Sequence, residues 1–120
     1  MKKLLLASVA MTSLATAGFA AGHSEIKIGV ILGFTGPIES ITPAMGDGAE
    51  LAMKEVTDSG MLLDGATVTP VRADSTCIDS GAATAAAERL ITADGVKAIM
   101  GADCSGVTGA VLSNVAVPNG

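Results

Sequence analysis

A run of seven residues near the start of the chain, residues 26–32, limits the possible folds more than any other segment. Its sequence, IKIGVIL, is almost entirely apolar and rich in β-branched side chains. A strand that buries one face alternates apolar and polar residues, whereas a nearly continuous apolar run is typical of a strand covered on both faces. Sheets covered on both faces are built mainly from parallel strands joined by helices. The run therefore predicts a parallel sheet of the α/β class.

Helical and strand-like patterns alternate along the following residues. Thr42 is predicted to cap a first helix, with Pro43 at its first position and Gly60 at its end. A second strand is predicted at residues 67–73. Because proline donates no hydrogen bond to a ladder, Pro70 places this strand at a sheet edge.

The same alternation continues towards residue 120. Asp79 or Ser80 is predicted to cap a second helix, and residues 96–100 form a third strand. Ser105 then opens a third helix, which Pro118 stops. Three strand–helix pairs in succession indicate an α/β fold with right-handed crossovers. Since the second strand belongs at an edge, we expect a partial doubly wound parallel sheet with the strand order 2-1-3.

The first twenty residues have the composition of a secretory signal peptide. Two lysines precede an apolar stretch that hydroxyl residues interrupt, and small residues follow. We expect cleavage after Ala20, with Ala21 and Gly22 as alternative ends; an uncleaved membrane anchor is disfavoured because no stop-transfer charges follow. Residues 1–20 are therefore interpreted as the signal peptide. Residues 21–120, where a fourth strand is expected but not reached, are interpreted as an incomplete N-terminal α/β lobe that is not embedded in a membrane.

The charge balance limits the partners of the mature chain. Cleavage leaves five basic residues against twelve acidic ones, so the net charge changes from −5 to −7. An acidic chain without a cluster of lysines or arginines argues against nucleic acid or anionic lipid as a partner.

Two cysteines, Cys77 and Cys104, lie in the exported part of the chain. An even number of cysteines in an oxidising compartment predicts one disulfide, with two free buried thiols as the alternative. Their separation excludes a C-x-x-C redox or zinc motif.

Three loops follow the predicted strands, at residues 33–41, 75–79 and 101–105. Ligands of open parallel sheets bind at such loops, beyond the carboxyl ends of the strands. The third loop enters a helix whose first amides point outward, which suits a carboxylate. Ser105 would donate its hydroxyl to that carboxylate, and amides from Gly106 onward would add partial positive charge. The alternative is that Ser105 only caps the helix.

The third loop also has part of a phosphate-binding pattern. Gly101 and Gly106 are spaced as in a P-loop, and Thr108 stands where the hydroxyl residue of that motif would be. Val107 occupies the position that requires lysine. A nucleoside triphosphatase of this type is therefore excluded.

Catalytic groups are scarce. Ser105 lacks the flanking glycines of a nucleophile elbow, since Asp103 precedes it by two residues, and His23 is the one histidine available as a base. The sequence therefore predicts no enzyme, no cofactor and no metal. Asp74, Asp79 and Asp103 lie near strand ends, where caps or solvated residues are usual. Asp74 and Asp103 are also candidates to orient a ligand ammonium group.

Four segments in this order resemble the type I periplasmic binding proteins typified by the branched-chain amino acid receptors. They are the strand IKIGVIL with Thr35-Gly36-Pro37, the helical segment GAELA at residues 48–52, Asp74 before Cys77, and residues 101–105. The resemblance covers nearly all of the mature chain. It implies a periplasmic protein of two α/β lobes that close around a ligand and deliver it to an ABC transporter permease.

The resemblance also implies roles for single residues. Cys77 and Cys104 look like the disulfide of the family, and Ser105 looks like the serine that holds the α-carboxylate of the ligand. Ile41 is a departure, because the branched-chain receptors tend to offer an aromatic side chain there. The expected ligand is therefore a branched-chain or other amino acid, with amides and urea as alternatives. The predicted ligand-binding residues are Ser105, Gly106, Thr108, Ile41 and Thr35.

The sequence thus predicts a binding protein that captures a small molecule for uptake and performs no chemistry. One alternative is the extracellular ligand-sensing domain of a signalling receptor, which a membrane span further along the chain would identify. Another is a secreted α/β enzyme whose general base lies beyond residue 120. A ligand that is turned over, and not simply held, would identify the enzyme.

Overall fold

Three parallel strands form the sheet in the computed structural model, which describes residues 24–120. The strands are β1 (Glu25–Leu32), β2 (Thr67–Asp74) and β3 (Ala98–Gly101), and their order in the sheet is β2-β1-β3. The predicted α/β class and the 2-1-3 order are therefore confirmed. The signal peptide predicted for residues 1–20 lies outside the described residues.

The register of the sheet brings the ends of all three strands to one edge. Ile31 of β1 lies level with Ala73 of β2 and with Gly101 of β3. The loops that follow the strands therefore meet at this edge, which we call the loop edge. β2 pairs with β1 alone, so Pro70 lies in an edge strand as predicted.

Helices cover both faces of the sheet. They are α1 (Thr42–Ser59), α2 (Ser80–Thr92), α3 (Ser105–Val111) and α4 (Val117–Asn119), with a 3₁₀ turn at Leu62–Asp64 and a π-helical turn at Leu112–Ala116. Within residues 24–120, no helix is both long and apolar enough to cross a membrane.

Two helix ends differ from the prediction. Ile41 is the N-cap of α1, and Thr42 lies inside the helix with its hydroxyl donating to the carbonyl of Gly33 at 2.8 Å. Pro118 does not stop the last helix, because the π-helical turn leads directly into α4 and places Pro118 in the first turn of that segment. Proline has no N–H to donate, and the π-helical turn before it accommodates the change in hydrogen bonding, since the amide of Val117 bonds to the carbonyl of Leu112 five residues earlier. Gly60, in the left-handed conformation, ends α1 as predicted.

The main core lies between the sheet and the pair α2 and α3. Ile31 is fully buried there against Leu90 of α2 and against Val107 of α3. Ala83 and Ala87 are also fully buried, because their small side chains let α2 approach the sheet closely.

The other face of the sheet is covered by α1. Arg72 of β2 donates to Asp47 and Glu50 of α1, and its guanidinium lies 5.1 Å from the centroid of the Phe34 ring. Gly46 of α1 is buried at this contact. These interactions fix α1, and the loop that precedes it, to the edge strand.

Candidate functional site

The first loop of the loop edge, residues 33–41, is fixed at both ends. The hydroxyl of Thr42 donates to the carbonyl of Gly33, which closes the loop on its own start. In the middle of the loop, Gly36 has a φ of 97°, and a Cβ there would lie 2.5 Å from the carbonyl oxygen of Thr76. Glycine is required at this position because any side chain would collide with the second loop.

Asp74, at the end of β2, connects the first loop to the second. Its carboxylate accepts from the hydroxyl of Thr35 at 2.5 Å and from the amide of Thr76 at 2.8 Å. Partial burial opposes ionisation of this carboxyl, but hydrogen bonds from Thr35, Thr76 and Phe34 outweigh that effect and hold the pKa of Asp74 below its ordinary value. The side chain is therefore a charged acceptor that ties the two loops together.

The second loop, residues 75–79, is joined to the third by a disulfide. Thr76 and Cys77 both have positive φ angles, 57° and 69°, which are uncommon outside glycine. Cys77 is bonded to Cys104, and their Cα atoms are 5.2 Å apart. The predicted disulfide is thus confirmed. It links the start of α3 to the second loop, whose backbone conformation at Thr76 and Cys77 is otherwise unfavourable.

The third loop begins in contact with β1. Gly101 has a φ of 122°, and a Cβ there would lie 1.9 Å from the carbonyl oxygen of Ile31. Asp103 follows, and its carboxylate accepts from the amide of Gly33 at 2.7 Å and from the hydroxyl of Ser75 at 3.3 Å. One carboxylate therefore contacts both other loops.

Ser105 is the first residue of α3, and the N-cap position belongs to Cys104. Within the described residues no side chain caps this helix, which contradicts the alternative that Ser105 only caps it. Its side chain is exposed at the loop edge. The first amides of a helix have no intrahelical acceptor, so N–H groups at the start of α3 are available beside the exposed Ser105.

The other predicted ligand residues lie at the same edge in different surroundings. Gly106 is exposed, with no atom within 4 Å of the position that a Cβ would take. Thr108 is partly buried, and its hydroxyl lies 3.0 Å from the carbonyl of Ala102 and 2.9 Å from that of Cys104. The hydroxyl of Thr108 is therefore bonded within the protein, and it stabilises the start of α3. Ile41, as the N-cap of α1, is 56% exposed.

Ile78, whose side chain is 75% exposed in the second loop, was not among the residues predicted from the sequence. Because this large apolar side chain is exposed between polar neighbours at the loop edge, Ile78 is a candidate to contact an apolar group of a ligand. The signal was present in the sequence, because Ile78 is the one large aliphatic residue in the segment STCIDS.

The loops of the loop edge form an open face. A groove of about 250 Å³ lies elsewhere, at the start of β3, and an apolar groove of about 240 Å³ lies between α1 and the sheet. Neither groove is lined by residues of the three loops. Among residues 24–120, no group of three metal-binding side chains comes together.

Comparison with known proteins finds similar binding proteins in the curated sequences and in the solved structures. A Leu/Ile/Val-binding protein homolog 7 of Brucella abortus (strain 2308) is 32% identical over 105 residues, which cover 88% of this chain and 25% of that protein. The branched-chain amino acid transporter substrate-binding protein of Streptococcus pneumoniae, solved with isoleucine, is 29% identical with a TM-score of 0.69 over 78% of this chain and 26% of that one.

A third relative shows the fold alone. It is an ABC-type branched-chain amino acid transporter protein of Rhodopseudomonas palustris CGA009, 24% identical with a TM-score of 0.68 over 78% of this chain and 25% of its own. The chain spans about a quarter of the length of the curated relatives that it matches. The sequence profile described as periplasmic binding protein matches residues 25–119, almost all of the described part. The chain therefore belongs to the periplasmic binding protein family.

Proposed function

We propose that the protein carrying this chain is a periplasmic solute-binding protein that captures a branched-chain or other amino acid and delivers it to an ABC transporter. The Leu/Ile/Val-binding homologue and the isoleucine-bound neighbour support this class of ligand. The signal-peptide pattern of residues 1–20 supports a periplasmic location, and residues 21–120 would then form part of the ligand-binding lobe.

The observation that carries the proposal is the exposed hydroxyl of Ser105 at the start of α3. A carboxylate placed there would accept from this hydroxyl and from the amide of Gly106, since both residues are exposed. Hydrogen bonds to a charged group are stronger than those between neutral groups, so this contact suits the common carboxylate of amino acids.

Ile41, Ile78 and Thr35 are assigned to the rest of the ligand. Ile41 and Ile78 are both exposed and aliphatic, which favours an apolar ligand side chain over a charged one. Thr35 is fixed by Asp74 through its hydroxyl, and it would contact the ligand through its remaining surface.

The proposal is tested by calorimetry on the mature protein with leucine, isoleucine and valine, and with other amino acids, amides and urea. Ser105→Ala should weaken binding of the best ligand by about 1.5–3 kcal/mol, the range for a hydrogen bond to a charged group. Ser113→Ala is the matched control, because Ser113 is exposed on the same helical run about two turns further along.

Two results would overturn the proposal. If no amino acid or amide binds the wild-type protein, the ligand class is wrong. If Ser105→Ala and Ser113→Ala bind the ligand equally well, Ser105 does not hold its carboxylate.

A further inference from the structure

Asp103 differs from the other polar residues of the loop edge in the number of loops that it joins. Among the hydrogen bonds of residues 24–120, its side chain is the one that reaches from one loop to both others. Asp74 joins the first and second loops, and the disulfide joins the second and third. The direct hydrogen bond between the first and third loops is made by Asp103 and Gly33.

The two partners of Asp103 are groups that need an acceptor. The amide of Gly33 directly follows β1 and donates to Asp103 Oδ2 at 2.7 Å. Ser75 is fully buried, and its hydroxyl lies 3.3 Å from Asp103 Oδ1. A buried hydroxyl or amide without a partner is unfavourable, so the backbone on both sides stays where the carboxylate can reach it.

The position of Asp103 in the chain gives this contact a consequence for the site. Asp103 precedes Ser105 by two residues, and Gly33 precedes Thr35 by two residues. The Gly33–Asp103 hydrogen bond therefore fixes the spacing between the loop that carries Thr35 and the helix start that carries Ser105. Both oxygens of Asp103 already accept from the protein, which favours this role over contact with a ligand ammonium group.

We propose that Asp103 is a positioning residue that holds the first and third loops at the spacing needed to bind the ligand. The effect on ligand affinity rests on the function proposed above, whereas the effect on the loops does not. Without the carboxylate the disulfide still joins the second and third loops, and Asp74 still holds Thr35, so the contact that is lost is the one between the start of the first loop and the third loop. Preorganised loops bind more tightly because less ordering is left to occur on binding.

The test compares three variants of the mature protein. Asp103→Ala removes both hydrogen bonds. Asp103→Asn keeps an acceptor for the Gly33 amide and offers an N–H group to the Ser75 oxygen. Asp79→Ala is the control, because the Asp79 carboxylate also accepts two amide hydrogen bonds, from Gly81 and Ala82, but both lie within its own helix.

The first readout needs no ligand. Hydrogen exchange followed by mass spectrometry should show faster exchange in residues 33–41 of Asp103→Ala, by about tenfold or more. The same segment should exchange at the wild-type rate in Asp79→Ala. The second readout is calorimetry, where Asp103→Ala should weaken binding by about tenfold or more and Asp103→Asn should restore most of the loss.

The outcomes separate the two proposals. If wild-type protein binds no ligand but residues 33–41 exchange faster only in Asp103→Ala, the proposed function fails and the role of Asp103 in the loops stands. If Asp103→Ala and Asp79→Ala change exchange or affinity to the same extent, Asp103 contributes general stability and is not a positioning residue. If Asp103→Asn is as impaired as Asp103→Ala although its unfolding midpoint matches wild type, the two hydrogen bonds do not explain the effect.

Discussion

Asp74 links two loops of the loop edge by hydrogen bonds and also carries a negative charge there. Its carboxylate is only partly buried, yet it accepts from the hydroxyl and amide of Thr35 and from the amide of Thr76. These donors favour the ionised form and hold the pKa of Asp74 below its ordinary value in spite of burial. A carboxyl whose pKa is lowered by folding stabilises the folded state only where it is ionised in the folded protein.

We therefore expect the contribution of Asp74 to depend on pH in a defined direction. Asp74→Asn should lower the free energy of unfolding by about 1 kcal/mol at pH 6, the usual size of a hydrogen-bond contribution. The difference should stay constant down to the pKa of an unfolded aspartate, about 3.9, and shrink as pH falls further through the folded pKa. Urea unfolding of both proteins at pH 6 and pH 3 measures it, and an equal difference at both values would contradict the assignment.

The residues of the site were predictable from sequence to different degrees. The position of Ser105 at the start of α3 was predictable, because a serine between a strand pattern and a helix pattern is a local signal. The N-cap residue was not predictable in the same way, since Cys104 takes that position. The role of Asp103 could not be read from its neighbours, because its partners Gly33 and Ser75 are 70 and 28 residues away in the chain.

At the scale of whole elements, α1 depends on a narrow contact with the sheet. A Cβ on Gly46 would lie 3.1 Å from two carbons of the Phe34 ring and 3.2 Å from Cζ of Arg72. The ring has little room to retreat, because Arg72 lies against it and is itself bonded to Asp47 and Glu50. The hydrogen bonds to Glu50 and Asp47 also raise the pKa of Arg72, so they favour its charged form.

Two glycines of α1 test this contact against each other. Gly48→Ala should raise the free energy of unfolding by about 1 kcal/mol, since alanine favours a helix and nothing lies within 4 Å of the new Cβ. Gly46→Ala gains the same helix preference but forces Phe34 and Arg72 apart, so it should lower the free energy of unfolding. Thermal and urea unfolding of the two variants measure the difference. Equal stabilisation by both would show that α1 can shift freely on the sheet.

Most elements were predictable because their signals are local. The apolar run of β1, the edge position set by Pro70 and the helix end at Gly60 all follow from the residues themselves. Pro118 was misread because proline usually ends a helix, whereas here a π-helical turn precedes it and a new helical segment begins around it. The cap of α1 was misread because Thr42 donates its hydroxyl to Gly33, a partner that only the folded loop supplies.

For the molecule as a whole, the disulfide is the covalent link across the loop edge. It joins residues 27 apart, and closing a loop of that length removes entropy from the unfolded chain worth about 3.5 kcal/mol. Replacing both Cys77 and Cys104 by serine should lower the free energy of unfolding by about this amount, measured by urea unfolding. Wild-type protein unfolded under reducing conditions is the control and should show a similar loss. A change below about 1 kcal/mol would mean that the unfolded chain is already compact around this pair.

Some positions of the loop edge are fixed points, where a change would move the backbone, whereas other positions carry exposed side chains. This difference matters for protein design. The fixed points are Gly36, Gly101 and the disulfide. A side chain at either glycine, or loss of the disulfide, would move the backbone of the loops. Ile41 and Ile78 are more than half exposed, and no such restriction applies to them. Under the function proposed above, a designer who wishes to retarget the protein as a biosensor should keep the fixed points, which retain the scaffold, and diversify these two residues.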